Sequence, residues 1–468
     1  MIRLLRTMTN AISPATVARV PIPANGVDYR NKIVLAPMVR SGELPSRLLA
    51  LKYGADLVWG PETIDRSLIG AERRINPRNG TIEFTRMPSN GGRPDKPTKA
   101  SIIYRIDRAR ESGRLIFQMG TANPDLAVQA ARVVAADVDG IDVNSGCPKP
   151  FSTSGGMGAA LLRTPDLLVS ILEALVKEVG EPFKIGISVK IRILSEPDAT
   201  RALVSRLVRT GITGLTVHCR TTPMRPRERA IRDQLRMVAE ICHEAGVACV
   251  MNGDVTSRDE GLALMTEYGV DGAMIATSAE TNSSCFRAEA DGGVAPWREV
   301  VYEYLKFCLE VENRLGNTKY LMNMLIPGKN KEFKEAKQCK TYLDICRNLG
   351  FDDLVPAAMR VDEILDLSQK WESVPASAPA SAHVNAEAPE GKSKAVQQAM
   401  ESEAARAAGC GAARSKAAPA VPNGCGPIRR TSVPEQKAKV DAAQPAADAT
   451  VPPVEAQTQA QSQPQVTV

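Results

Sequence analysis

The sequence predicts an α/β protein: a (β/α)8 TIM barrel, then a smaller all-α helical domain, then a disordered C-terminal tail. Three observations predict it. Between residues 31 and 280, eight short runs rich in Val and Ile alternate with longer segments of helical periodicity. That is the pattern of parallel strands buried on both faces and linked by helices. Residues 296–372 then read as helices joined by short loops. From residue 376 onward there is no Leu, Phe, Trp or Tyr, so that stretch cannot bury enough apolar surface to offset its ordering entropy.

The elements follow in order. Residues 1–30 carry Arg3, Arg6 and Arg19, with no acidic residue before Asp28, and read as a leader. Two readings of it stay open, a frayed start of a cytoplasmic or nuclear protein and a mitochondrial presequence. The eight runs are IVLAP (33–37), DLVWG (56–60), RLIFQM (114–119), GIDVN (140–144), ISVKI (187–191), GLTVH (214–218), ACVMN (248–252) and GAMIA (272–276). Gly54, Gly180, Gly211 and Gly246 each precede a run, as helix C-caps do. A doubly wound sheet is the competing arrangement. It announces itself with GxGxxG after the first strand, and here the first run continues as APMVRSGELP. The stretch 61–113 is too long for one helix and should hold a helix, a hairpin and a Gly/Pro-rich excursion around GGRPDKP. These boundaries give a barrel over 31–290, a helical domain of about four helices over 291–373, and a disordered tail over 374–468.

Composition excludes several classes. No apolar run approaches the roughly 18 residues needed to cross a bilayer. The ten cysteines include no CxxC pair, and the only histidines are His218, His243 and His383, so no metal site is expected. The net charge of +6 is compatible with a polyanionic partner without requiring one. No obligate protein partner is evident, and the chain reads as a monomer.

Active sites of this barrel lie at the C-terminal ends of the strands. Those ends carry Ala36-Pro37-Met38, Gln118, Asn144, Lys190 and Arg192, His218, Asn252-Gly253-Asp254, and Ala276-Thr277. After the fourth strand, N144-S-G-C-P148 places the Cys147 thiol between Gly146 and Pro148, and GGMG follows at 155–158. A small buried residue is the commonest fate of a cysteine. A thiol on a polar rim points instead to chemistry. Its reference pKa keeps it protonated near neutrality, so it can act as a general acid without activation. A nucleophilic role would need a base, and His218 is the one candidate on the rim. The segments after the seventh and eighth strands form the usual phosphate position of the fold, with Gly253 letting backbone N–H groups approach.

The segments KIVLAPMVRSGELPSRLLALKYGADLVW, FQMGTANPDLA, GIDVNSGCPKPFSTSGGMGAALL, VKIRIL, LTVHCR and MNGDV resemble the tRNA-dihydrouridine synthases, in particular the eukaryotic branch acting on uridine 20. The likeness runs from about residue 31 to 350. It implies an FMN cofactor, NADPH or NADH as reductant, and tRNA as partner. It implies that Ala36, Pro37 and Met38 lie against the isoalloxazine and that Gln118, Lys190 and His218 hold the flavin. Asn144 belongs to the same cofactor-binding set. Asn252, Gly253, Asp254, Ala276 and Thr277 match phosphate binders, and Cys147 the catalytic acid. The family usually has Arg where this chain has Thr277, with Arg258 or Arg287 as candidate substitutes. The expected reaction passes hydride to C6 of uracil and a proton from Cys147 to C5, with Lys190 or Arg192 stabilising the enolate. Lys319, Lys329, Lys331, Lys334, Lys337 and Lys340 are candidate phosphate contacts. Two rivals are a flavin barrel acting on a small molecule and a non-catalytic RNA-binding barrel.

Overall fold

In the computed structural model, residues 20–87, 100–328 and 330–367 are described. Contacts divide the chain into Met1–Ser377 and Ala378–Val468, and every described residue lies in the first unit. The expected tail from 374, the first 19 residues of the expected leader and the GGRPDKP segment lie outside the described residues.

Twelve strands occur among the described residues: β1 (Lys32–Leu35), β2 (Leu57–Trp59), β3 (Thr63–Ile64), β4 (Glu72–Ile75), β5 (Ile82–Arg86), β6 (Ser101–Ile106), β7 (Leu115–Gly120), β8 (Gly140–Ser145), β9 (Gly186–Arg192), β10 (Gly214–His218), β11 (Ala248–Asn252) and β12 (Gly272–Ile275). Eight of them close a parallel barrel. From β7 to β12 they pair in sequence order, β12 pairs with β1, β1 with β2, and β2 returns to β7. These eight are the eight expected runs. Their Val, Ile and Leu side chains are buried on both faces, which supplies the hydrophobic drive for closure.

The helices end where their capping residues place them. Asn123 accepts from the Leu126 N–H at the start of Pro124–Val134, and Ser257 from the Glu260 N–H at the start of Arg258–Tyr268; each side chain satisfies a donor that the first turn leaves open. Gly54, Gly211 and Gly246 take positive φ before their strands, as a C-cap requires. Gly180 does not, at φ −56°. There the chain runs on through a π turn (Val176–Gly180) into Glu181–Phe183, and Lys184 takes the left-handed position at φ 56°. Pro182, at the start of that short helix, fits a first turn, where its missing N–H costs nothing.

Three expectations change. The leader is shorter than residues 1–30. The Val20 N–H donates to the Gly246 carbonyl at 3.0 Å, and Val27 and Tyr29 are buried against the barrel's base. The Tyr29 ring lies on Gly214, where a Cβ would approach it to 2.6 Å, so the strand begins with the residue that leaves it room. The stretch 61–113 holds β3 and an antiparallel sheet β4–β5–β6, with helices of only four residues at Asp65–Leu68 and Arg108–Glu111. A third strand covers the expected hairpin. Among the described residues the helical region contains five α-helices, Trp297–Glu310, Leu315–Leu325, Lys331–Gln338, Tyr342–Leu349 and Val355–Ile364. Its first helix packs on Leu44–Lys52 through Leu44, Leu48, Phe307 and Val311. Lys52–Glu303 and Arg110–Glu310 pairs flank that contact. No helix among the described residues is long and apolar enough to cross a membrane.

Candidate active site

The parallel registers set polar residues level with one another inside the barrel's C-terminal end. Gln118 pairs with Asp142, Asp142 with Ser188, and Asn144 with Lys190. His218 stands level with both Arg192 and Asn252. Residues two apart on a strand share a face, so Asp142 and Asn144, and Ser188, Lys190 and Arg192, form the inner wall.

The loop after β8 is held by its own strand. Asn144 Oδ1 accepts from the N–H groups of Gly146 at 3.0 Å and Cys147 at 3.1 Å. Arg192 Nε donates to the Gly146 carbonyl at 2.6 Å and its Nη1 to the Thr221 carbonyl at 3.0 Å. The Ala159 N–H reaches back to the Cys147 carbonyl at 2.9 Å. Gly158, at φ 58°, is in contact there. A Cβ on it would lie 2.6 Å from that carbonyl and 2.4 Å from Ser152 Oγ. The thiol itself is half-buried. Burial is the largest influence on it and pushes its pKa up.

Facing this loop, the Lys190 ammonium donates to Asn252 Oδ1 at 3.0 Å, and Asn252 Nδ2 donates to the Met274 carbonyl at 3.0 Å. Burial, then repulsion by Arg192, brings Lys190 down to about 8. Gln118 Nε2 donates to Asp142 Oδ2 at 2.8 Å, and Ser188 Oγ to Asp142 Oδ1 at 2.8 Å. Asp142 is fully buried, and its burial raises its pKa to about 6.

At the next edge, His218 is pushed down to about 2, by burial first and then by Lys190, Arg192 and Arg220. It is a neutral imidazole, with Arg220 Nη1 3.2 Å from its Nε2. It is therefore available only as a hydrogen-bonding group. Arg220 also donates to the carbonyls of Glu228 and Pro226 and pairs with Asp254. Asp254 accepts from the Ala230 N–H at 2.7 Å. Both carboxylate oxygens thus have a partner within the protein, although the side chain stays exposed. Gly253 takes φ 122°, and a Cβ there would press on Ala230 at 3.1 Å and on the His218 ring at 3.3 Å. Arg232 braces the same turn through the carbonyls of Gly253 and Asp254.

The remaining expected residues sit on the same rim. Ala36 is buried, its N–H bonded to the Ile275 carbonyl at 2.9 Å, and Pro37 and Met38 follow half-buried. Ala276 precedes the five-residue helix Thr277–Thr281, and Thr277 is exposed. Neither candidate substitute for the missing arginine reaches this region. Arg258 is bound to the Gly54 carbonyl and to Asp56, whose carboxylate also holds the Ile33 N–H at the start of β1. Arg287 donates to the Gly293 carbonyl and lies over Tyr53. Sequence reasoning missed Asp142, Ser188, Glu62, Ser152 and Arg220. The two-residue alternation back from Asn144 and Lys190 would have found Asp142 and Ser188. An open cavity of about 570 Å³, lined by Gly26, Asp28, Lys32, Asp56 and Arg114 among others, occupies the opposite end. The thiol, the amine and the imidazole all lie away from it, so size does not mark the site.

Half-buried Cys147, buried Lys190 and half-buried His218 thus gather at the C-terminal mouth of a closed parallel barrel, which defines a (β/α)8 barrel with a polar rim. The chain belongs to the dihydrouridine synthase family: the model described as Dihydrouridine synthase (Dus) matches residues 34–344. Among relatives, a Schizosaccharomyces pombe protein named tRNA-dihydrouridine(20) synthase (NAD(P)+) is 49% identical over 324 residues, covering 68% of this chain and 65% of that one. A Saccharomyces cerevisiae protein of the same name is 44% identical over 322 residues, 67% of this chain and 82% of the other. A second S. pombe protein, named tRNA-dihydrouridine(20a/20b) synthase (NAD(P)+), is 29% identical over 264 residues, 56% of this chain and 70% of its own length. The chain thus spans just under two thirds of the first of these relatives.

Proposed function

We propose that this chain is a tRNA-dihydrouridine synthase that reduces the C5–C6 bond of uridine 20 in the tRNA D-loop, using FMN and NADPH or NADH. The observation that carries the reading is Cys147, whose backbone N–H is held at the barrel mouth by Asn144 and whose thiol pKa is pushed up by burial. The names of the two yeast relatives support the substrate, its position and the nicotinamide.

The residues fit FMN. Its ring presents carbonyl and imide groups, and Lys190, Gln118 and Asn252 are buried polar side chains on the wall it would face. Its phosphate needs N–H groups and positive charge. Gly253 and Asp254 offer the backbone, with Arg220 and Arg232 behind them. The field that depresses His218 is positive, as an anionic ligand requires. Bound there and reduced by the nicotinamide, FMN would supply the hydride for C6 of the base.

The chain's own groups do the rest. Cys147 gives its proton to C5 from the opposite face. Lys190 stabilises the negative charge that develops toward O4. Arg192 has two of its donors committed to the Gly146 and Thr221 carbonyls, so it fixes the Cys147 loop and leaves the enolate to Lys190. The base must leave the folded tRNA to enter the mouth, at a cost of a few kcal/mol. The exposed Lys331, Lys334, Lys337 and Lys340 are the surface we assign to backbone phosphates that offset it. Lys319 is less free, its ammonium bound to the Cys339 carbonyl at 2.5 Å, and Lys329 lies outside the described residues.

Mass spectrometry of tRNA from cells lacking the protein tests the reading position by position. Dihydrouridine should vanish at position 20 alone, and its persistence there refutes the proposal. A second expectation follows from Lys190. Its ammonium is needed and titrates at about 8, so kcat should fall as pH rises through about 8. Lys190→Arg should shift that fall upward. A flat wild-type profile between pH 7 and roughly 9.5, well above that titration, contradicts the role.

A further inference from the structure

Just beyond β2, Glu62 meets the loop that carries Cys147. Ser152 Oγ donates to Glu62 Oε1 at 3.0 Å. The other oxygen, Oε2, is buried and makes no hydrogen bond of good geometry among the described residues. Asn144 and Cys147 flank the carboxyl closely enough to favour its charged form, although neither reaches Oε2 at full hydrogen-bond geometry. Two glycines leave room for this contact. A Cβ on Gly120 would lie 2.6 Å from Glu62 Oε1, and one on Gly158 would lie 2.4 Å from Ser152 Oγ.

A buried carboxylate with one oxygen unserved costs more than the neutral acid would. Burial is the first cause of the rise in Glu62's pKa, ahead of the opposing contacts of Ser152, Asn144 and Cys147. The carboxyl thus sits against the loop that carries the thiol, and Cys147 is among the side chains that act on its charge. With a base filling the mouth, water reaches the sulfur poorly, and this carboxyl is its neighbour on the protein side.

We propose that Glu62 returns the proton to Cys147 after each reduction. This rests on the function proposed above. As the Cys147 S–H bond breaks, a C–H bond forms at C5 and a thiolate remains. The Glu62 O–H bond then breaks as S–H forms again. The carboxylate left behind takes a proton from solvent once the product has gone. No oxidation state changes in these steps. Ser152 holds Oε1 and so anchors the carboxyl at the Cys147 loop.

The experiment compares Glu62→Gln with Glu62→Asp in steady-state assays on tRNA, with NADPH-dependent flavin reduction as the control for an intact fold. Gln keeps the shape and the Ser152 contact but has no acidic proton. Asp is shorter and keeps the acid. The expected result is a fall in kcat of at least about tenfold for Gln, at the low end for a positioned proton donor, with KM for tRNA unchanged and Asp clearly faster than Gln. A purely structural role gives the reverse order, since the shorter side chain disturbs packing more. Gln as fast as Asp, or as fast as wild type, overturns the proposal. Wild-type protein that forms no dihydrouridine would instead defeat the functional reading itself.

Discussion

Cys147→Ala abolishes dihydrouridine formation while NADPH still reduces the flavin. The expected loss is roughly 100- to 10,000-fold, the range for a positioned general acid. The geometry separates the two half-reactions. The Cys147 backbone is held by the Asn144 side chain and the Ala159 N–H, whereas the residues proposed for the flavin, Lys190, Gln118 and Asn252, bond to Asp142, Met274 and one another. Removing the sulfur should leave that second set in place. Stopped-flow absorbance of the flavin reads the first half-reaction, and dihydrouridine content of tRNA reads the second. Equal loss of both would refute the assignment of Cys147 as proton donor.

Glu111→Ala should cost about 3–5 kcal/mol of stability, as expected when one partner of a buried ion pair is removed. Arg47 and Glu111 are both essentially inaccessible to solvent, with Nε to Oε1 at 2.6 Å. Arg47 also donates to the carbonyls of Gly42 and Arg105, and Glu111 accepts from the Asp107 N–H. Burial is the largest influence and would lower the Arg47 pKa, but Glu111 together with Tyr104 and Glu43 reverses it and holds the guanidinium charged. The alanine variant strands that charge in the interior. The pair joins the helix after β1 to the β4–β5–β6 sheet, so the loss should spread to the barrel rim. Denaturant unfolding measures it. Arg47→Met combined with Glu111→Leu should recover most of the loss, because the apolar pair leaves no charge unmatched. A single variant as stable as wild type would show that the pair contributes nothing.

The barrel was legible because parallel strands buried on both faces must be apolar along their whole length. The runs at 114–119, 140–144 and 187–191 had no other placement that hid both faces. The rim was legible for the same reason: Gln118, Asn144, Lys190 and His218 are polar where an apolar run ends. The stretch 61–113 was less so. Its strand β4 is exposed along its whole length, β5 and β6 do not alternate, and its helices are single turns, so periodicity carries little signal. Residues 20–30 were misread because one tyrosine beneath a barrel leaves no pattern in a sequence.

By itself the sequence determined the barrel, the strand ends that face the site and the thiol among them, since local periodicity and turn chemistry act within a few residues of one another. Only the tertiary structure decided that Arg192 braces the Cys147 loop, that Asp254 pairs with Arg220, that Arg258 and Arg287 lie elsewhere, and that Glu62 adjoins the Cys147 loop. Those outcomes depend on contacts between residues 34 to more than 200 positions apart. Burial and the charges of neighbouring strands then set each group's protonation, and neither exists until the barrel has closed.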